Sequence, residues 1–230
     1  MKIGFVLPGI PGAPTGGSKV VFEYCNWLCE NGHDVSIYYL HTNFKKNPIV
    51  NILWKKKMVF TAKNLKFNWF KLNNDIKNYV VFSADDLNRL CEDDVTVITA
   101  VETFEITNSL NTPRIVYFIQ GYENWGVSED HLHYTYRSEM PKITIAKWLS
   151  DIVDQYSPVK SICIPDGIDS TIFYRTEQKK DKHSIVFHYR KAAYKGCDVA
   201  LEVLDRLKQK YSDLKVYVVS NESIEDLPNW

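Results

Sequence analysis

The chain has 230 residues, of which 28 are Lys or Arg and 28 are Asp or Glu, so its formal net charge is zero and no global field draws it to nucleic acid or a membrane. Apolar residues at 45% and charged residues at 24% exclude wholesale disorder and a fibrous chain, and the length corresponds to about one and a half average domains. No apolar run reaches the roughly 18 residues of a spanning helix, and the apolar stretch in MKIGFVLPGIPG is too short for a signal peptide, so a cytoplasmic protein is expected.

Lys2 to Pro8 is a short apolar run bounded by Pro and Gly and reads as a strand. Val20, Val21, Tyr24, Trp27 and Leu28 then recur at helical spacing, and the helix stops at Asn31-Gly32, where Gly takes the left-handed cap conformation. Asp34 to Leu40 is the next strand. Cys25 and Cys29 lie four apart on that helix and read as core packing. The five cysteines include no CxxC pair and are odd in number, which speaks against a disulfide framework or a zinc knuckle.

Residues 45 to 71 hold eight lysines (45, 46, 55, 56, 57, 63, 66 and 71), no acidic residue, and the aromatics Trp54, Phe60, Phe67, Trp69 and Phe70. The rest of the chain keeps 20 basic against 28 acidic side chains, a net −8, so the molecule is electrically polarised. Lys55, Lys56 and Lys57 beside Trp54 and Trp69 suit a surface that docks on anionic lipid head groups or holds an acceptor. The alternative is a set of strands with a solvated lysine face and its aromatics in the core. Single-stranded nucleic acid also favours rings and lysines, but the acidic remainder would repel it.

Further strands are expected at Val95 to Ala100, Arg114 to Gln120, Lys142 to Ala146, Lys160 to Pro165, Ser184 to Tyr189 and Lys215 to Val219, with a helix at Gly196 to Lys210. Strands alternating with helices imply an α/β protein with a parallel sheet covered on both faces. Pro165-Asp166-Gly167-Ile168-Asp169 and the polar run Arg175 to His183 mark a break, giving units 1–168 and 169–230. Glu92-Asp93-Asp94 reads as a solvated turn. Glu102 and Glu105 follow a strand end and are acid or base candidates. His131 and His133, two apart on a helix, point to different sides, which argues against a metal pair.

Chemistry is expected first in the loop Pro8 to Lys19, where Gly16, Gly17 and Lys19 open onto a helix N-terminus whose unpaired N–H groups suit phosphate or another anion; a structural turn is the alternative. GxGxxG is absent and the second strand ends Tyr39-Leu40-His41 without an acidic ribose ligand, which disfavours a dinucleotide-dependent oxidoreductase.

The PG…GG loop before the first helix, NGHDV at the second strand, IAKWLSDIV, PDGIDSTIF and YRKAAYKG together resemble the family-4-type retaining glycosyltransferases. Tyr189 before Arg190, and the segment Phe118 to Glu123, resemble the bacterial rhamnosyltransferase-like branch. The resemblance implies a GT-B-like architecture: a Rossmann-like N-terminal domain on the acceptor side and a second Rossmann-like domain for a nucleotide diphosphate sugar. It places the diphosphate grip on Arg190 and Lys195, the cleft-lining glycines on Gly16 and Gly17, and the acceptor side on Gln120, Tyr122 and Glu123. Many members carry a His where this chain has Gln120.

That resemblance implies transfer of a hexosyl or rhamnosyl group, with retention, to a glycan or lipid-linked acceptor in polysaccharide biosynthesis. No metal, cofactor or covalent nucleophile is implied. The family's Glu-x7-Glu pair is not reached before Trp230, and Glu222 and Glu225, three apart, do not form it. The second domain is therefore expected to be incomplete in this polypeptide, which is either a fragment or a short form completed by a partner chain or a second copy. The rival reading is a non-catalytic acceptor-binding or membrane-docking module without its own donor site, peripheral to the inner membrane face.

Overall fold

The structure, a computed structural model, describes residues 1–41, 48–107, 110, 114–177 and 181–224. They form two compact units, Met1–Gly167 and Ile168–Trp230. The first contains β1 (Lys2–Leu7), α1 (Gly16–Glu30), β2 (Asp34–Leu40), α2 (Pro48–Lys63), β3 (Lys77–Val81), α3 (Ala84–Leu90), β4 (Val95–Ile98), α4 (Val101–Thr107), β5 (Ile115–Ile119), α5 (Glu129–Tyr136), β6 (Lys142–Thr144), α6 (Lys147–Tyr156) and β7 (Ile162–Cys163). The second contains β8 (Ser184–His188), a 3-10 turn at Ala193–Lys195, α7 (Cys197–Lys210) and β9 (Lys215–Val219).

Seven strands form one sheet in the order β3-β2-β1-β4-β5-β6-β7, every neighbouring pair parallel. The period-2 geometry of a strand explains its two cores. Ile3, Phe5, Leu7, Val35, Ile37 and Tyr39 face one side with Val21, Phe22 and Cys25 of α1. Val6, Tyr38, Leu40, Ile98, Tyr117 and Ile119 face the other with Leu132, Tyr136, Leu149 and Val153 of α5 and α6. The order reverses between β1 and β4, the point at which open α/β sheets leave a crevice beyond the carboxyl ends of their strands.

The lysine-rich segment is a helix followed by a loop, not the strands offered as its alternative reading; Lys45 and Lys46 lie outside the described residues. Pro48 opens the helix at its first position, and Leu53, Lys55, Lys56, Lys57, Met58 and Ala62 are all good helix formers. Only Ala62 is buried, while Asn51, Trp54, Lys55 and Met58 are half-buried on the same side. The outer face therefore presents Ile49, Ile52, Leu53, Lys56, Lys57 and Phe60, with exposures of 71% at Ile49, 62% at Leu53 and 69% at Phe60. The aromatics of the following loop turn inward: Phe67, Trp69 and Phe70 surround Phe22 with ring centroids 4.9, 5.8 and 5.5 Å away.

The expected solvated turn Glu92-Asp93-Asp94 is only partly that. Glu92 pairs with Lys2 and Asp94 accepts from the Lys2 N–H, but Asp93 is 6% exposed and receives a bond from the Cys91 thiol. Burial holds its carboxyl above the usual range. The carboxyl fits because Gly4 lies against it: a Cβ there would stand 2.0 Å from Asp93 Oδ2 and 2.8 Å from the Tyr38 ring. Gly4→Ala is accordingly expected to cost about 2 kcal/mol by overpacking, a loss of roughly 6 °C in the thermal unfolding midpoint. Circular dichroism melts check it; an unchanged midpoint would show that the carboxyl yields freely.

In the second unit β8 and β9 pair in parallel, with His188 opposite Val219. Ile185, Phe187, Val216 and Val218 are half-buried on one face of this ribbon, while Val186, Tyr217 and Val219 are exposed on the other.

Candidate functional site

At the carboxyl edge of the large sheet, β1 delivers the loop Pro8 to Thr15 and then the N-terminus of α1, capped by the Thr15 hydroxyl, which accepts from the Ser18 N–H and carries no acidic residue in the first turn. β5 delivers Gln120 beside it: a Cβ on Gly17 would meet the Gln120 carboxamide at 3.5 Å. Gly17 and Gln120, about a hundred positions apart in sequence, thus face each other. Lys19 lies along α1 and pairs with Glu23, so its charge is directed along the helix.

Glu123, three residues further, is the most perturbed acid of this edge. Its Oε2 accepts the Val101 N–H at 2.9 Å where α4 begins. Burial raises its pKa to about 7 against the lowering effect of that hydrogen bond, with Glu102 adding a smaller rise. A carboxyl that titrates near neutrality at a ligand edge is suited to take or give a proton. Tyr122 is committed elsewhere: its hydroxyl bonds His133 Nε2 at 2.9 Å, and the His133 ring stacks on Tyr156 at 3.8 Å. Trp125 extends the edge, 58% exposed, with its ring 3.5 Å from where a Gly121 Cβ would be.

The two acids offered at the preceding strand end have separate fates. Glu102 is exposed on the first turn of α4, and Glu105 sits 3.4 Å from His131. His131 and His133 face different surroundings, and among the described residues no group of three or more His, Cys, Asp or Glu could hold a metal ion. Of the five patch residues, Lys56 and Lys57 are exposed. Lys55 lies over the Phe82 ring at 4.9 Å, Trp54 packs on His41 and Phe82 at 4.5 and 5.9 Å, and Trp69 belongs to the Phe22 cluster. The apolar part of the outward surface comes from Ile49, Ile52, Leu53 and Phe60, a pattern readable only once the segment is known to be helical.

In the second unit Arg190 follows β8 and Lys195 ends the 3-10 turn before α7. Gly196 caps α7 with φ +64° and contributes no side chain, so no side-chain cap covers the helix N-terminus, and Asp198 is the one acidic residue of its first turn. The Arg190 N–H donates to Cys197 Sγ at 3.2 Å, which ties the end of β8 to the first residue of that helix. Arg190 Nε lies 3.0 Å from Glu222 Oε1 without a hydrogen bond, a Coulombic contact. Glu222 Oε2 accepts the Lys191 N–H at 2.7 Å. The sequence named Glu222 only as half of a pair too closely spaced to be the family's acidic motif; the signal for its contact with Arg190 was its place three residues after β9, on the same edge. Glu225 lies outside the described residues.

No protein-family model matches the chain, and a search of curated proteins also found no match. Solved structures do match. TarM superposes with a TM-score of 0.66 at 11% identity, over 97% of this chain and 72% of TarM. The GT-B fold is shared. Sucrose-phosphate synthase from Thermosynechococcus elongatus follows with a TM-score of 0.60 at 11% identity, over 96% of this chain and 71% of that one. An alpha-glucosyltransferase in complex with UDP and a 13-mer DNA gives 0.54 at 14% identity, over 96% of this chain and 57% of that one. A mutant of S. aureus TarM was solved with fondaparinux, alpha-GlcNAc-glycerol and UDP. The α/β class and GT-B fold expected from the sequence are those of the structure.

Proposed function

We propose that this protein takes part in glycosyl transfer from a nucleotide diphosphate sugar to a glycan or lipid-linked acceptor, as a family-4-type retaining, metal-independent enzyme. The observation that carries the reading is the pairing of Gly17 with Gln120 and the near-neutral Glu123 at one carboxyl edge, on a fold whose neighbours hold UDP. Arg190, Lys195 and the α7 N-terminus would grip the diphosphate, whose charge grows as it departs; two fixed cations and a helix dipole stabilise that charge. Gln120 and Glu123 would meet the acceptor hydroxyl. Calorimetric titration with UDP, GDP and dTDP tests the reading and identifies the donor class. A folded chain that binds none of them would leave the acceptor-binding module as the better account. The exposed face of Val186, Tyr217 and Val219 is where a partner chain or second copy would cover the second unit.

The outer face of α2 supports docking on the inner face of an anionic membrane. Its apolar side chains are exposed, with lysines between them, the arrangement of an interfacial helix. Each lysine near such a surface contributes ~1 kcal/mol, so K56Q/K57Q is expected to weaken binding to phosphatidylglycerol vesicles roughly thirtyfold. Co-sedimentation with those vesicles measures it, with neutral phosphatidylcholine vesicles and a DNA duplex as comparisons. Equal binding by the variant would remove the proposal, and lysine-dependent binding to the duplex alone would assign the face to nucleic acid.

A further inference from the structure

We propose that Glu222 is an internal surrogate for phosphate: its carboxylate occupies the anion cradle of the second unit, and a nucleoside diphosphate binds by displacing it. The inference rests on the donor-site reading of Arg190 given above and goes beyond it by adding a competitor built into the chain.

Topology brings the groups together. Parallel pairing places His188 opposite Val219, so Arg190 and Glu222 emerge from the same carboxyl edge of the ribbon. The Ser220 hydroxyl accepts the Glu222 N–H at 2.9 Å and holds the acid's main chain in place. The carboxylate then takes a main-chain N–H at 2.7 Å through one oxygen and faces the guanidinium at 3.0 Å through the other. Both side chains are about one-third exposed, 35% and 28%, so the attraction is screened less than in a fully exposed pair. Beside them, Arg190 is tied through its own N–H to the start of the uncapped α7.

A main-chain N–H, a guanidinium and a helix N-terminus together form a phosphate-recognition set. A carboxylate oxygen and a phosphate oxygen make the same demands on those donors. The single Lys191 N–H cannot serve Glu222 and a diphosphate at once, and two anions beside Arg190 in one cradle repel. Binding therefore requires the Glu222 side chain to swing out, and the apparent affinity of the cradle is lowered by the fraction of molecules in which it is filled. A purely structural clasp between residues 190–191 and 220–222 predicts the opposite outcome on mutation, since loosening the cradle would weaken its grip.

The test is calorimetric titration of the full 230-residue chain, of E222Q, E222A and E222D, and of R190A, with inorganic pyrophosphate and with UDP, GDP and dTDP, after thermal melts establish folding. The surrogate role predicts that E222Q and E222A bind roughly tenfold tighter than the parent chain. R190A loses binding. E222D, with an arm too short to span both donors, lies between and stands in if the larger changes unfold the unit. If R190A loses binding while every folded Glu222 variant matches or falls below the parent, the surrogate is refuted and the donor site stands. Undiminished binding by R190A refutes the donor-site reading and the surrogate with it. Absence of binding by all folded variants does the same. Binding gained only on replacing Glu222 supports both.

Discussion

Arg190→Ala is expected to weaken nucleoside diphosphate binding tenfold to a hundredfold and Lys195→Ala about tenfold, in calorimetric titrations at low salt; such losses correspond to charge-assisted hydrogen bonds of about 1.5–3 kcal/mol. The larger effect belongs to Arg190 because of its surroundings. Its main chain is fixed to Cys197 and its guanidinium faces Glu222, so it is held at the end of β8 and offers a planar fork, whereas an ammonium such as that of Lys195 acts as a point charge. Arg190→Lys is expected to recover little, since an ammonium cannot present a planar fork. Removing Arg190 also leaves Glu222 on the Lys191 N–H with no cation beside it, so the loss in R190A contains a repulsive part. The double variant R190A/E222Q should recover some of the loss, a non-additivity that a cycle of the four proteins reads directly. Equal affinity of R190A and the parent chain would end the assignment of this cradle to the donor.

The parts of the molecule legible in the sequence are those in which one physical signal dominates. β1, β2, β5, β8 and β9 are short β-rich runs bounded by turn residues, and the expected ranges agree with the structure to within two residues. β3 was invisible because Lys77-Asn78 opens an edge strand with polar residues and Ile76 precedes it in a loop. α2 was unreadable for a different reason: three consecutive lysines carry no period, and the inner side is held only by Asn51, Trp54, Lys55, Met58 and Ala62, too mixed a set to mark a buried face. For Trp54 and Trp69 the sequence offers both a docking surface and a place in the core, and the packing of Trp69 on Phe22 and of Trp54 on His41 and Phe82 agrees with the second, since rings beside lysines in sequence need not share their face. In the site, the glycine loop and the Gln120 to Glu123 strand end could be named, since turn chemistry and strand ends are local. The approach of Gly17 to Gln120, the burial of Glu123 and the pairing of Arg190 with Glu222 could not, since each depends on a crossover.

Glu123→Gln offers the sharpest separation of stability from function at the first unit's edge. The folded carboxyl binds its proton more tightly than the unfolded one, titrating at about 7 rather than 4.5 because burial disfavours its charge. Below pH 4.5 both states are protonated and the group imposes no penalty. As pH rises through 7 the unfolded chain has already lost its proton, so the folded state forfeits up to about 3 kcal/mol, and about 2 once the partly exposed carboxyl is discounted for solvent screening. Glutamine keeps an oxygen for the Val101 N–H without the charge. E123Q should therefore melt roughly 4–8 °C above the parent chain at pH 8 and level with it at pH 4.5. Activity should move in the opposite sense if the carboxylate receives the acceptor's proton: kcat/KM of the parent rises with pH to a plateau above 7, and E123Q shows neither the rise nor the rate. A stabilised E123Q that retains full, pH-independent transfer would confine Glu123 to capping α4, and a variant without the alkaline gain in stability would show that the buried carboxyl already has its charge compensated.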